Sequence, residues 1–350
     1  MNYKKWVVSF VFFFASIIFI VSATVFVVDP CFHYRKPLPN IFYELDKQRY
    51  QNDGIIKNFD YNAIIIGTSM TENFKASEFE QVFEAKVIKI PFSGGTFKEI
   101  NDNLVTAFNC KNYIKFVVRS LDITHINERS SKLREDLGAY PVYLYNDNIF
   151  DDVYYILNKD ALKMALKNMM ITIKDDKLGV TNFDEYCNWN NKYKFGKQYV
   201  VKKKYEQNSN QENLSEDDKK VIYQNVNENV IALAKANPNT IFYYFYPPYN
   251  IAYWAGENES GNIVRTFDGI VYATEMILEC PNIKLYYFGD MHNITENFDN
   301  YKDTTHYGEQ INSKMLKFMH NDVGLLTKEN YKEILGKERE YLLSYPYDEI

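Results

Sequence analysis

From Tyr61 onward the chain alternates short β-branched runs with longer amphipathic ones, and nothing else in it restricts the fold so strongly. Strands that are apolar throughout must be buried on both faces, which is the pattern of a parallel sheet covered by helices. Five strands are expected, at 63–66, 86–90, 115–121, 240–246 and 283–288. Helices are expected over 77–83, 97–108, 216–236 and 263–278, with one after His306 and a charged amphipathic one over 329–343. The rhythm breaks between Asp122 and Ser215, a polar stretch rich in Tyr and Asn and far longer than an ordinary connection of roughly 2 to 6 residues. It reads as an insertion. Its aromatic clusters, Tyr140-Pro141-Val142-Tyr143-Leu144-Tyr145 and Tyr186-Cys187-Asn188-Trp189-Asn190, suit stacking on sugar rings, although aromatics under a long insertion more often form a satellite core.

Ahead of this region, Trp6 to Val28 is a run of 23 residues without charge. As a helix it spans ~35 Å, enough to cross a bilayer. A cleaved signal peptide has an apolar region of only ~7–15 residues. Val21-Ser22-Ala23 has the small residues of a cleavage site, but the run continues to Val28 and is read as a retained anchor. Cys31 follows Val28-Asp29-Pro30 and does not look like a lipidation site. Lys4, Lys5 and the α-amino group precede the run, so the positive-inside rule keeps the N-terminus cytoplasmic and sends everything after Asp29 outside. The expected layout is an anchor over 1–28, a juxtamembrane connector over 29–60, an α/β domain over 61–321 with its insertion at about 122–215, and a C-terminal helix and tail over 322–350.

Of the residues, 46% are hydrophobic, enough for a substantial core, and 40 Lys and Arg stand against 46 Asp and Glu for a net charge of −6. No Lys/Arg cluster stands out in this reading, so the phosphate-neutralising stripe of a nucleic-acid binder is not expected. The exported part, without Lys4 and Lys5, is more acidic still and is expected to repel anionic polymers unless a local patch overrides the average. Cys31, Cys110, Cys187 and Cys280 are scattered singly, without zinc-ribbon pairs or the density of a disulfide scaffold, and read as small core residues.

Two segments carry chemistry. In Asn62-Ala63-Ile64-Ile65-Ile66-Gly67-Thr68-Ser69-Met70, a buried strand leads through Gly67 to a Ser at the start of a helix, at the sheet edge where α/β proteins bind ligands. That position favours a developing negative charge, although a Ser there is more often only a helix cap. In Asp303-Thr304-Thr305-His306, ahead of a helical pattern, the carboxylate can accept the imidazole Nδ1 proton while the ring reaches over the sheet edge. A serine hydroxyl needs such a base beside it to attack an ester. The plainer reading of this pair is a loop His and a capping Asp.

Gly67-Thr68-Ser69-Met70, Ser93-Gly94-Gly95-Thr96 after the second strand, and Asp303-Thr304-Thr305-His306 near the end resemble, in that order, the sequence blocks of the SGNH/GDSL hydrolase superfamily, over about residues 60 to 320. The resemblance implies a three-layer αβα, flavodoxin-like five-stranded parallel sheet. It implies Ser69 as nucleophile, His306 and Asp303 as its partners, and the backbone N–H groups of Ser69 and Gly94 in the oxyanion hole; it calls for no cofactor or metal. The family's third block supplies an Asn to that hole, but here the chain reads Val118-Arg119-Ser120-Leu121-Asp122-Ile123. Asp122 takes the position, and an ionised carboxylate cannot donate to an oxyanion; Arg119, Asn101 and Asn103 are the candidate substitutes. Tyr249, in the turn Tyr246-Pro247-Pro248-Tyr249-Asn250, is a further candidate pocket residue, with a rigid strand-ending turn as the plainer reading. The departure resembles membrane-anchored branches that modify cell-envelope polymers, among them the teichoic-acid D-alanyl transfer protein and alginate-type O-acetyltransferases.

Three functions follow. The first is an extracytoplasmic serine esterase or acyltransferase acting on an envelope polysaccharide or teichoic acid, bound to the lipid bilayer by its helix, with a multi-spanning acyl-donor partner if it transfers and the 122–215 insertion as a water-excluding lid. The second is a non-catalytic, membrane-tethered scaffold that binds glycan or a partner protein. The third is a metal-dependent hydrolase in which Asp290, His292, Asp303 and His306 converge.

Overall fold

The computed structural model describes residues 3–111, 113–137 and 141–350, so the α-amino group and Tyr140 lie outside the described residues. The chain forms two compact units, one of residues 1–59 with 137–182 and one of 60–136 with 183–350. The segment expected as a single insertion is thus shared between them. Eight strands occur among the described residues: β1 Phe42–Tyr43, β2 Ala63–Ile66, β3 Val87–Lys89, β4 Phe116–Ser120, β5 Gly179–Val180, β6 Ile241–Tyr246, β7 Ile283–Tyr287 and β8 Leu325–Leu326.

The smaller unit begins with helix Tyr3–Val28, long and apolar enough to cross a membrane. Directly after it Asp29, in the left-handed region, turns the chain. Its buried carboxylate accepts the backbone N–H groups of His33 (2.9 Å) and Tyr34 (2.8 Å) and the hydroxyl of Tyr155 (2.8 Å). Leu144, Tyr155 and Ala161 pack with Val25 and Cys31, and Tyr143 and Tyr145 lie against them. The described aromatics of the first cluster therefore serve a core. β1 and β5 pair in parallel, Phe42 opposite Gly179.

In the larger unit the sheet order is β3-β2-β4-β6-β7-β8. The first five strands are mutually parallel, in register from Ala63 opposite Val87 and Phe116 to Phe242 opposite Ile283. All five expected strands form within a residue or so of their expected ends. The expectation of five strands is corrected by a sixth: two-residue β8 pairs antiparallel to β7 at the edge. Side-chain alternation along a strand assigns helices to both faces. Phe116 and Tyr243 meet Phe83 of helix Ala76–Phe83, and Tyr286 donates to the Met319 carbonyl of helix Glu309–His320. On the opposite face Phe242 stacks on Phe108 of helix Phe97–Cys110, and Tyr246 bonds Thr274 of helix Ile263–Ile277. Helix Tyr331–Ser344 packs on the last of these, with Leu335 and Leu342 buried. The run expected as one helix over 216–236 is helical throughout but passes through a wider π-type turn at Asn227–Ile231. Chain direction across the sheet reverses between β2 and β4, so the crevice beyond their carboxyl ends is where such a sheet leaves space for a ligand. Of the cysteines, only Cys31 and Cys280 are buried; Cys110 is exposed and Cys187 partly so.

Candidate functional site

Ser69 leaves β2 through Gly67, whose φ of +153° suits a glycine. A Cβ at Gly67 would lie 2.3 Å from Ser120 Oγ, so the close approach of the β2 and β4 ends requires the bare backbone. The helix expected at Ser69 is a single 3₁₀ turn, Ser69–Thr71, capped by the Thr68 side chain; the α-helix starts only at Ala76. Asn312 Nδ2 and Tyr307 Oη donate to the Met70 carbonyl (3.0 and 3.3 Å), and buried Lys89 donates to the carbonyls of Glu72 (2.6 Å) and Phe74 (2.9 Å). Burial lowers the Lys89 ammonium to about 8, with nearby anionic groups opposing the shift.

The partner loop is a tight hairpin closed by a bridge between Tyr301 and Tyr307. It is tied down by Lys302 N–H on the His306 carbonyl (3.1 Å), Asn250 N–H on the Thr304 carbonyl (3.0 Å) and Tyr301 Oη on the Pro248 carbonyl (2.7 Å). The Pro-Pro turn thus braces the hairpin. At its tip His306 Nδ1 faces Asp303 Oδ2 at 2.8 Å, and His306 Nε2 faces Ser69 Oγ at 2.7 Å. Burial alone would raise the Asp303 carboxyl, but the His306 ring together with the backbone N–H groups of His306 (2.8 Å) and Thr305 (3.0 Å) holds it well below the usual carboxylate range. An ionised Asp303 takes the Nδ1 proton, which leaves Nε2 as the acceptor for the Ser69 hydroxyl. The structure therefore joins the three residues expected to act together, in a relay that can withdraw the serine proton.

Gly94, at φ +62°, lies in a turn closed by Gly95 N–H on the Phe92 carbonyl (2.7 Å) and held by Arg134 Nη1 on the Gly94 carbonyl (2.8 Å). Among the described residues no hydrogen bond occupies the backbone N–H of Ser69 or Gly94.

Of the substitutes expected for the third-block Asn, Arg119 is committed elsewhere, and among the described residues no hydrogen bond joins Asn101 or Asn103 to Ser69, Asp303 or His306. Arg119 is fully buried and points to the opposite side of β4, donating to the carbonyls of Asn229 (2.7 Å) and Phe97 (3.3 Å) and lying over the Phe97 and Tyr244 rings. Alternation along β4 decides this, since Arg119 and Ser120 must face opposite ways. Asn101 and Asn103 lie on helix Phe97–Cys110 with their Oδ1 atoms buried and unpartnered, and Asn103 Nδ2 is spent on the Glu99 carbonyl (2.8 Å). Asp122 serves a different purpose: it accepts the hydroxyls of Thr68 (2.9 Å), Ser120 (2.8 Å) and Tyr249 (3.0 Å). Tyr249 is buried in that network and does not line open space. A buried carboxylate satisfied by three donors fixes the turn from which Ser69 projects.

Asp290 and His292 do not join Asp303 and His306. His292 Nε2 meets Glu338 Oε2 at 2.8 Å and its ring stacks on Tyr341. Among the described residues no group of three or more His, Cys, Asp or Glu is arranged to hold a metal ion.

Sequence reasoning named Trp189 only within an aromatic cluster of the insertion and passed over Lys302; both stand beside His306. Trp189 stands edge-on to the His306 ring, centroids 5.7 Å apart, and is anchored through its backbone N–H on Asn73 Oδ1 (3.0 Å). Lys302 Nζ lies 4.3 Å from the Trp189 centroid and 4.0 Å from that of Tyr193. The reading that no Lys/Arg cluster stands out is also overturned: Lys192, Lys194, Lys197, Lys202, Lys203 and Lys204 follow Trp189 with no acidic residue among them, and all six are exposed.

Comparison with protein-family models, with curated proteins and with solved structures gives no match to this chain.

Proposed function

We propose that this chain is a membrane-anchored serine O-acyl esterase or acyltransferase of the SGNH/GDSL type, acting outside the cell membrane on an acylated envelope polysaccharide or teichoic acid. The observation that carries the reading is the Ser69–His306–Asp303 relay, with contacts of 2.7 and 2.8 Å, at the carboxyl ends of the parallel strands. The order of the five parallel strands agrees with the doubly wound sheet expected of that superfamily; β8 is an addition at the edge. In the proposed reaction Ser69 Oγ attacks the acyl carbonyl as His306 Nε2 takes its proton, and Asp303 steadies the imidazolium. The Ser69 and Gly94 N–H groups receive the oxyanion, and His306 returns the proton to the leaving alcohol. The acyl-Ser69 then passes to water or to a polymer hydroxyl. The helix Tyr3–Val28 supplies the anchor, Lys4 and Lys5 set its direction, and transfer in place of hydrolysis would call on a multi-spanning partner that delivers the acyl donor.

A non-catalytic scaffold draws support from one observation: Asp122, which stands where the family has its third-block Asn, is committed to accepting three hydroxyls. Labelling of the detergent-solubilised full chain with a fluorophosphonate separates the two. The esterase reading expects covalent labelling that is lost in both Ser69→Ala and His306→Ala. Absence of labelling in a folded wild type would favour the scaffold, and labelling that survives Ser69→Ala would assign the nucleophile elsewhere.

A further inference from the structure

We propose that the lysine-rich strap from Trp189 to Lys204 is a docking track for a linear polyanion, a polymer bearing phosphodiester or carboxylate groups, and that it feeds this polymer past Ser69. Feeding it to Ser69 rests on the acyl-ester reading above; binding it does not. The chain as a whole has more Asp and Glu than Lys and Arg, 46 against 40, yet residues 186–205 hold six lysines and no carboxylate. Lys203 is paired with Glu259 and Lys197 lies over the Phe298 ring. Lys192, Lys194, Lys202 and Lys204 have no carboxylate partner among the described residues.

The strap is fastened to the relay. Gly196 N–H donates to the Tyr301 carbonyl (3.1 Å), Glu309 N–H to Asn190 Oδ1 (2.9 Å) and Trp189 N–H to Asn73 Oδ1 (3.0 Å), so it is bound both to the hairpin carrying His306 and to the segment following Ser69. Three and five residues of chain reach at most ~11 and ~18 Å, so Lys192 and Lys194 begin within that range of Trp189, whose ring abuts His306. Lys302, between the Trp189 and Tyr193 rings and 4.0 Å from Asp303, continues the positive charge to the relay itself.

The distribution selects the ligand. Exposed lysines strung over thirteen residues do not converge on one point, so each gains little from a small anion. A polyvalent chain instead gains at every lysine by releasing its own condensed counterions. A neutral glycan would draw no benefit from the charge.

The test is salt-dependent binding of fluorescent inorganic polyphosphate, polygalacturonate and neutral dextran to the solubilised full chain. It compares wild type with Lys192→Ala/Lys194→Ala/Lys202→Ala/Lys204→Ala, the corresponding four-fold Arg variant, and Lys219→Ala/Lys220→Ala, which removes two lysines paired within helix Glu216–Val226. We expect at least one polyanion to bind while dextran does not, a salt-dependence slope that falls by about 3 in the Ala variant, and retention of binding in the Arg and control variants. The choice between polyphosphate and polygalacturonate tells phosphate-bearing from carboxylate-bearing polymers. Equal binding by wild type and Ala variant, or dextran binding as tight as the polyanions, would overturn the track. Fluorophosphonate labelling of the same samples keeps the two proposals apart. Polyanion binding without labelling removes the acyl-transfer reading and leaves the track, whereas labelling without strap-dependent binding does the reverse.

Discussion

Asp303 shows how one residue's environment sets a functional state. Two backbone N–H groups and an imidazole face its carboxylate and together outweigh the burial that opposes ionisation. Because its folded-state pKa lies below the unfolded value of about 4, the stabilisation it gives is fully present above pH ~4 and is lost as pH falls toward the folded value. Asp303→Asn should therefore melt below wild type above pH ~4, and the gap should close as the pH falls further; thermal unfolding from pH 7 to 2 checks it. The same variant should label with fluorophosphonate about a thousandfold or more slowly, because an amide cannot hold the tautomer that leaves Nε2 free. The Ser69, Asp303 and His306 set is legible in sequence because each member sits in a short segment with its own local logic, a strand followed by a glycine and a hairpin followed by a helix. Trp189 and Lys302 are not legible, since an aromatic inside a polar stretch and a single Lys in a loop acquire meaning only when the hairpin folds against the strap.

At the scale of elements, the strands reveal themselves and the direction of their side chains does not. Five apolar runs locate β2, β3, β4, β6 and β7 because strands buried on both faces tolerate little else. β8 escapes notice because two residues carry no period. Arg119 misleads because a cation beside the expected oxyanion block suggests a role there, while alternation along β4 sends it to the other face. Its burial among two carbonyls and two rings is a structural arrangement, and burial pulls its guanidinium below the ordinary range. Arg119→Met, of comparable length, should leave the rate of Ser69 labelling within about twofold and cost about 1–3 kcal/mol through the carbonyl bonds it gives up. Labelling kinetics and denaturant unfolding on one preparation measure both; a loss of labelling without a loss of stability would return Arg119 to the oxyanion side.

For the whole molecule the decisive property is the side of the membrane on which the larger unit resides, because the proposed envelope polymer and the strap proposed to bind it meet only outside. Composition defines the helix Tyr3–Val28, and only Lys4 and Lys5 bear on its direction. The cysteines give a direct readout. Cys31 and Cys280 are buried, Cys110 at the end of helix Phe97–Cys110 is exposed, and Cys187 is partly so. A membrane-impermeant maleimide applied to intact cells should modify the wild-type chain, chiefly at Cys110, and Cys110→Ser/Cys187→Ser should abolish the signal. Both thiols lie in the larger unit with Ser69, so they report the side to which the proposed site faces. Modification that appears only after the cells are permeabilised would put Ser69 in the cytoplasm. The relay would then keep its chemistry but lose every extracytoplasmic substrate, and the lysine strap would have to meet its polyanion inside the cell.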